Sequence, residues 1–123
     1  MKCPCGLGAD YTQCCEPYIR REGQPTTAEQ CMRARFSAYA LGQVDYLVYS
    51  HAPSTRSPEL RNAVREWARK AEFRELRILE TKAGSHTDQE GIVIFEADYI
   101  ENGAKKTLAE RSIFGRYEGR WVY

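Results

Sequence analysis

The segment CPCGLGADYTQCCEPY, residues 3–18, constrains this chain more than any other stretch. It holds four of the five cysteines, Cys3, Cys5, Cys14 and Cys15, with glycine-rich and polar chain between the two pairs. The segment shows the period of neither helix nor strand. It buries little apolar surface by itself, so it needs a staple to hold a shape. Disulfides would require an oxidising compartment. The start, Met1-Lys2-Cys3, lacks the apolar stretch of a secretory signal, and the expected location is cytoplasmic. A redox couple usually shows C-x-x-C, which is absent. The spacing C-x-C-x8-C-C instead brings two thiolate pairs to the ends of one short loop, which suits a tetrahedral zinc ion. Pro4 stiffens the first pair, and Gly6 and Gly8 let the chain fold back. The expected cofactor is structural Zn2+ on Cys3, Cys5, Cys14 and Cys15, with no position left for a bound water. Cys31 lies outside the set and reads as a small buried apolar residue.

The remainder must supply the core, and 123 residues suffice for one. Residues 19–27 read as a connector. Thr26 and Glu29 fit a capping box that opens a helix, continued by Ala28, Met32, Phe36 and Tyr39 and stopped near Gly42. Residues 44–49 read as a second, short helix or a turn, ended near Pro53. Ser57-Pro58-Glu59 opens a third, with an apolar stripe of Leu60, Val64, Trp67, Ala68 and Ala71. Alternation then takes over: a strand from about Phe73, a long strand over 91–101, an Asn102-Gly103 hairpin turn, a returning strand from Lys105, and a last short strand through Trp121. Helices first and antiparallel strands after predict an α+β two-layer domain. On the long strand Val93, Phe95, Ala97 and Tyr99 face the helices. The other face, Ile92, Ile94, Glu96, Asp98 and Ile100, is mixed.

Charge excludes little but matters. Eighteen basic residues against seventeen acidic ones give a net +1, no general pull towards nucleic acid. No apolar run is long enough for a membrane span. The segment from His51 to Arg56 sets an imidazole, hydroxyls and a guanidinium before the third helix. With Asp98 and Glu110 from the sheet, His51 and Arg56 are the candidate residues of a polar ligand pocket. His51 also reads as a helix-end residue, and Arg56 with Glu110 as a structural ion pair. Arg61, Arg65 and Arg69 recur at four-residue spacing on the third helix, the pattern of a solvated face.

CPCGLGADYTQCCEPY resembles the SEC-C motif, the zinc knuckle also found at the end of the SecA translocation ATPase. TTAEQCMRARFSAYALGQVDYL, HAPSTR and AERSIFGRYEGRWVY resemble the YchJ-like family of uncharacterised bacterial proteins. The resemblance implies the same four cysteine ligands. It also implies a cone-shaped domain similar to nuclear transport factor 2, with three helices wrapped by a curved antiparallel sheet. The expected organisation is a knuckle over 1–18, a connector over 19–27 and the α+β domain over 28–123. The knuckle departs from the usual motif, with Leu7 for a serine and Ala9-Asp10 for two lysines. Lys2 against Asp10 and Glu16 leaves it acidic, and a zinc held by four thiolates adds two further negative charges. Phosphate binding through it is disfavoured.

Two functions from different classes fit these residues. One is a zinc-stapled module that binds a protein partner, with a possible small ligand in the cone. The other is a small-molecule enzyme without an organic cofactor, of hydrolase, isomerase or dehydratase type, using His51 and a nearby carboxylate. Oligomeric state is left open by the two-faced strand.

Overall fold

The computed structural model describes residues 1–123. A one-turn helix, α1 (Glu16–Ile19), precedes the three expected helices α2 (Ala28–Leu41), α3 (Val44–Tyr49) and α4 (Leu60–Lys70). The strands follow as β1 (Ala71–Ala83), β2 (Glu90–Glu101), β3 (Ala104–Tyr117) and β4 (Arg120–Val122). They form one antiparallel sheet in the order β1-β2-β3-β4. No helix is long and apolar enough to cross a membrane.

Local chemistry explains the element ends, with two corrections. The cap of α2 is Thr27, not Thr26: its backbone is extended (φ −134°, ψ 159°) and its hydroxyl accepts the N–H of Gln30 at 3.1 Å. Gln30 Oε1 reaches back to accept the N–H of Thr26 at 2.7 Å. Two adjacent threonines made the frame ambiguous, and Glu29 is engaged by Arg33 Nε at 2.9 Å instead. Gly42 ends the helix in the left-handed region at φ 70°, as its lack of a Cβ allows. The second correction concerns α4, which begins at Leu60. Ser57 contributes only its carbonyl, which accepts the Leu60 N–H at 3.1 Å, and no side chain caps the helix. Asn102 and Gly103, at φ 52° and 77°, make the expected tight hairpin, and Glu118 and Gly119, at 50° and 81°, make another.

The bend of the sheet lies in β1. Its register against β2 shifts between Phe73 and Glu75 and again between Ile78 and Glu80. Such bulges bend a strand and increase its twist. The concave face then wraps α2, which is buried on two sides. Cys31, Met32 and Phe36 join Leu76, Val93, Phe95, Ala97, Phe114 and Trp121 in the sheet-side core. Ala34 and Ala38 join Tyr46, Leu47 and Val64 in a second core, which also includes Cys3, Cys5, Cys15 and Ile19. The amino-terminal segment therefore packs on the far side of α2, and Ile19, read as the start of a connector, is buried there.

The β1–β2 hairpin closes over the start of α2 through a pair of glycines. Gly84 O accepts the Ala28 N–H at 3.0 Å. A Cβ on Gly91 would fall 2.5 Å from Gly84 Cα and 2.9 Å from Gly84 N, backbone that cannot swing aside, and 3.0 Å from the Ala28 Cβ. Gly91→Ala is expected to cost about 2–3 kcal/mol through this overlap. Gly103→Ala meets no atom within 4 Å and pays only for its left-handed backbone, on the order of 1 kcal/mol. Urea denaturation of the two variants would check the ranking, and equal midpoints would contradict the close approach.

Candidate metal centre

The knuckle is built by a short chain reversal. Cys3 N–H donates to Ala9 O at 2.9 Å and Tyr11 N–H to Met1 O at 2.9 Å, so residues 1–3 lie antiparallel to 9–11. Gly6 and Gly8, at φ 88° and 91°, make the reversal possible. Asp10, where the usual motif has lysine, caps the 3-10 turn Tyr11–Gln13: its Oδ2 accepts the Thr12 N–H at 3.2 Å, and its Oδ1 holds the amino terminus at 2.9 Å. That turn delivers Cys14, whose N–H donates to Tyr11 O at 3.1 Å. Cys15 precedes α1 and its carbonyl accepts the N–H of Ile19 at 3.0 Å.

The Sγ atoms of Cys3, Cys5, Cys14 and Cys15 all lie within 4.8 Å of one another, and Cys5 and Cys14 are 3.6 Å apart. A tetrahedron of sulfurs about 2.3 Å from a zinc-sized ion has edges of ~3.8 Å, so the set needs only a small contraction to hold one. All five cysteines are free thiols. The four compete for charge. The Cys15 thiol, hydrogen-bonded to Cys5, helps pull the latter down to about 5, and the same bond pushes Cys15 up. Burial, followed by the bond to Cys5, raises Cys14 to about 12. One thiolate is favourable here, and four require a multivalent cation among them. Cys3, Cys5 and Cys15 are buried and Cys14 half-buried. Four sulfurs complete a tetrahedral shell, so the centre fits a structural ion with no open coordination position. Cys31 stands apart on the sheet side of α2, its Sγ 3.6 Å from Trp121 O, and burial raises its pKa to about 11.

The four residues expected to share a polar pocket do not converge. His51 follows α3; its Nε2 is 3.0 Å from Thr55 Oγ1, and Nδ1 is sealed without a partner. Burial, then the positive charge of Arg35, lowers its pKa. Arg56 Nη2 donates to His51 O at 2.9 Å and does not pair with Glu110. Asp98 lies on the outer face of the sheet, gripped by Arg77 Nη1 and Nη2 at 2.7 and 2.8 Å and by Thr107 Oγ1 at 2.8 Å, which lower its pKa to about 2. Glu110 points the other way, into the concave side, where it accepts the Tyr123 hydroxyl at 3.2 Å. Strand alternation separates them: Asp98 keeps the parity of outward Glu96, while Glu110 pairs with inward Phe95. Arg61 and Arg69 pair with Asp45 and Glu66 on an exposed face, as their spacing suggested.

A model of the YchJ middle NTF2-like domain matches residues 27–123. A UPF0225 protein of Corynebacterium efficiens is 42% identical over the whole chain and 90% of its own length. The chain belongs to the YchJ-like family. Another UPF0225 protein, from Serratia proteamaculans, is 39% identical over 98% of this chain and 79% of its own. The solution structure of a SEC-C motif containing protein from Rhodopseudomonas palustris superposes with a TM-score of 0.85 at 32% identity, covering 99% of this chain and 94% of that one. The crystal structure of a SEC-C motif containing protein from Psychrobacter arcticus, 21% identical, shares the fold at a TM-score of 0.81 over 99% of this chain and 79% of that one.

In this YchJ-like chain the cysteine centre has supports that the cysteine pattern did not reveal. Ser37 Oγ lies 3.5 Å from Cys3 Sγ, and Arg33 Nη1 donates to Cys5 O at 2.8 Å. Both come from α2, more than twenty residues away in the chain. The available signal was the run of small residues Ala34, Ser37 and Ala38, which lets one face of the helix approach another backbone closely.

Proposed function

We propose that Cys3, Cys5, Cys14 and Cys15 hold one structural zinc ion and that the zinc-stapled face is a protein-interaction module, with residues 1–18 as the knuckle. The observation that carries the zinc is the four sulfurs within 4.8 Å of one another, an all-thiolate tetrahedral set of the kind that selects zinc or iron–sulfur chemistry. A cytoplasmic setting, where thiols stay reduced, suits the site. The interaction reading rests on what the knuckle exposes. Leu7 is 59% accessible and Met1 68%, and a groove between knuckle and α2 is bordered by Leu7, Gln13, Tyr18, Gln30 and Arg33. The partner this favours presents an apolar side chain to Leu7, with basic residues near the acidic metal centre. The enzyme alternative has less support, since His51 has no carboxylate against its ring and does not line the interior cavity.

Elemental analysis of purified chain is expected to give about one zinc per molecule. A chain that carries none, and takes up none from added Zn2+ under reducing conditions, removes the metal reading. Leu7→Asp should keep zinc yet lose the proteins that intact chain captures. Unchanged capture would remove the knuckle as the docking face.

A further inference from the structure

Between α2 and the concave side of the sheet lies a cavity of about 110 Å³ that plays no part in the metal centre. Its wall is mostly apolar, and Phe36, Tyr39, Trp67, Phe73 and Phe95 are its large side chains beside Tyr123. Polar groups enter it from both layers. Arg35 is 5% exposed and Ser112 2%, and both line the cavity. Burying a guanidinium is costly unless it is paired, and Arg35 makes no ion pair. Its Nη1 donates to Leu47 O at 3.0 Å and to Ser50 Oγ at 2.7 Å, which uses both Nη1 hydrogens. The Tyr123 ring lies against the guanidinium, 4.8 Å from centroid to Cζ. The Nε and Nη2 hydrogens have no protein acceptor, and the Ser112 hydroxyl has no protein partner either. These atoms also differ from His51 Nδ1 and Arg120 Nε, which are sealed in without partners: they open on free space. The Nε–Nη2 edge of a guanidinium is one that takes a carboxylate through two parallel hydrogen bonds.

We propose that this cavity binds a small organic monocarboxylate, its carboxylate on the free edge of Arg35 and the Ser112 hydroxyl, and its apolar or aromatic body against Phe36, Trp67 and Phe73. At about 110 Å³ the cavity is smaller than the roughly 150 Å³ apolar cavity that accepts benzene, so it takes the carboxylate end and part of the body of a compact acid, the rest lying at the open rim beside half-buried Tyr39 and Trp67. Glu110 also borders the cavity, held by the Tyr123 hydroxyl at 3.2 Å. Its charge opposes a second anionic group, which restricts the ligand to one carboxylate. The site is independent of the zinc and of the knuckle partner, and it takes none of the four residues of the expected pocket except Glu110.

The test uses full-length, zinc-loaded chain, with benzoate as the probe and benzamide and benzylamine as its neutral and cationic counterparts. Trp67 lies in the wall, so binding is read by tryptophan fluorescence and by amide shifts of residues 35, 67 and 112 in NMR spectra. Benzoate is expected to bind saturably, and benzamide at least about tenfold more weakly, the loss expected when a charge-assisted pair is removed. Arg35→Lys should weaken benzoate by a similar factor, because lysine keeps the charge but not the two-pronged edge. Ser112→Ala, which leaves the hydrogen bonds of Arg35 intact, should weaken it severalfold, and Glu110→Gln should strengthen it. If Arg35→Lys does not fold, the wild-type comparison of the three probes and the Ser112→Ala variant decide. Benzamide or benzylamine binding as tightly as benzoate, or no saturable binding of benzoate up to roughly 10 mM, overturns the proposal.

Discussion

Replacing Cys15 by serine is expected to strip the metal from the chain and to lower its melting temperature by roughly 15 °C or more. Structural zinc supplies folding free energy directly, and serine does not replace a thiolate ligand. The effect should also reach beyond the knuckle. Cys15 is 2% exposed and shares a core cluster with Ala34 and Ala38 of α2, Tyr46 and Leu47 of α3 and Val64 of α4. Loosening residues 1–18 therefore uncovers one side of α2 and the packing faces of α3 and α4. Hydrogen exchange should show lost protection in α2 and α3, with the β2–β3 ladder less affected. Cys31→Ala is the control, because Cys31 lies on the other side of α2 and should leave the metal content unchanged. A Cys15→Ser chain that melts with the wild type would show that the knuckle is an appendage and that α2 needs no support from it.

The second large effect is expected at Trp121. It is 2% exposed in the sheet-side core. Its Nε1–H donates to Thr26 O at 3.1 Å, and Arg116 lies over its ring at 4.3 Å. Truncation to alanine empties the space between β4 and the start of α2, and costs about 3–5 kcal/mol. Much of the stability of a domain this size would be lost, since the total is typically about 5–15 kcal/mol. Denaturant titration measures it, and a midpoint within error of wild type would contradict the packing described. Trp67→Ala should cost less, because Trp67 is half-buried at the cavity rim among Phe73 and Tyr99, with solvent already on one side.

Several elements were legible because their causes are local. The Asn102-Gly103 turn needs only two residues that tolerate positive φ, and Gly42 needs only its missing Cβ. The alternation of Val93, Phe95 and Ala97 named the buried face of β2 correctly. The helix starts were less secure. Thr26 and Thr27 carry the same side chain, and only the extended backbone at Thr27 decides between them. At Ser57 the expected cap required the helix to begin two residues earlier than it does, at a position where the chain is still leaving the 3-10 turn Pro53–Thr55. The polar pocket failed for a different reason. His51, Arg56, Asp98 and Glu110 share a chemistry that suits a pocket, but side-chain alternation puts Asp98 and Glu110 on opposite faces of the sheet.

By itself the sequence determined which four cysteines could serve as metal donors, the order of the long helices and strands, and the turns that join them. Each of these follows from residue type and spacing over a few positions. Only the tertiary structure decided that the knuckle seats on α2 through Ser37 and Arg33, and that Arg35 and Ser112 meet in one cavity with free hydrogen-bond donors. Those contacts join residues far apart in the chain. Their geometry depends on the bulges that bend β1 and on a helix buried on both sides, and neither leaves a local mark in the sequence.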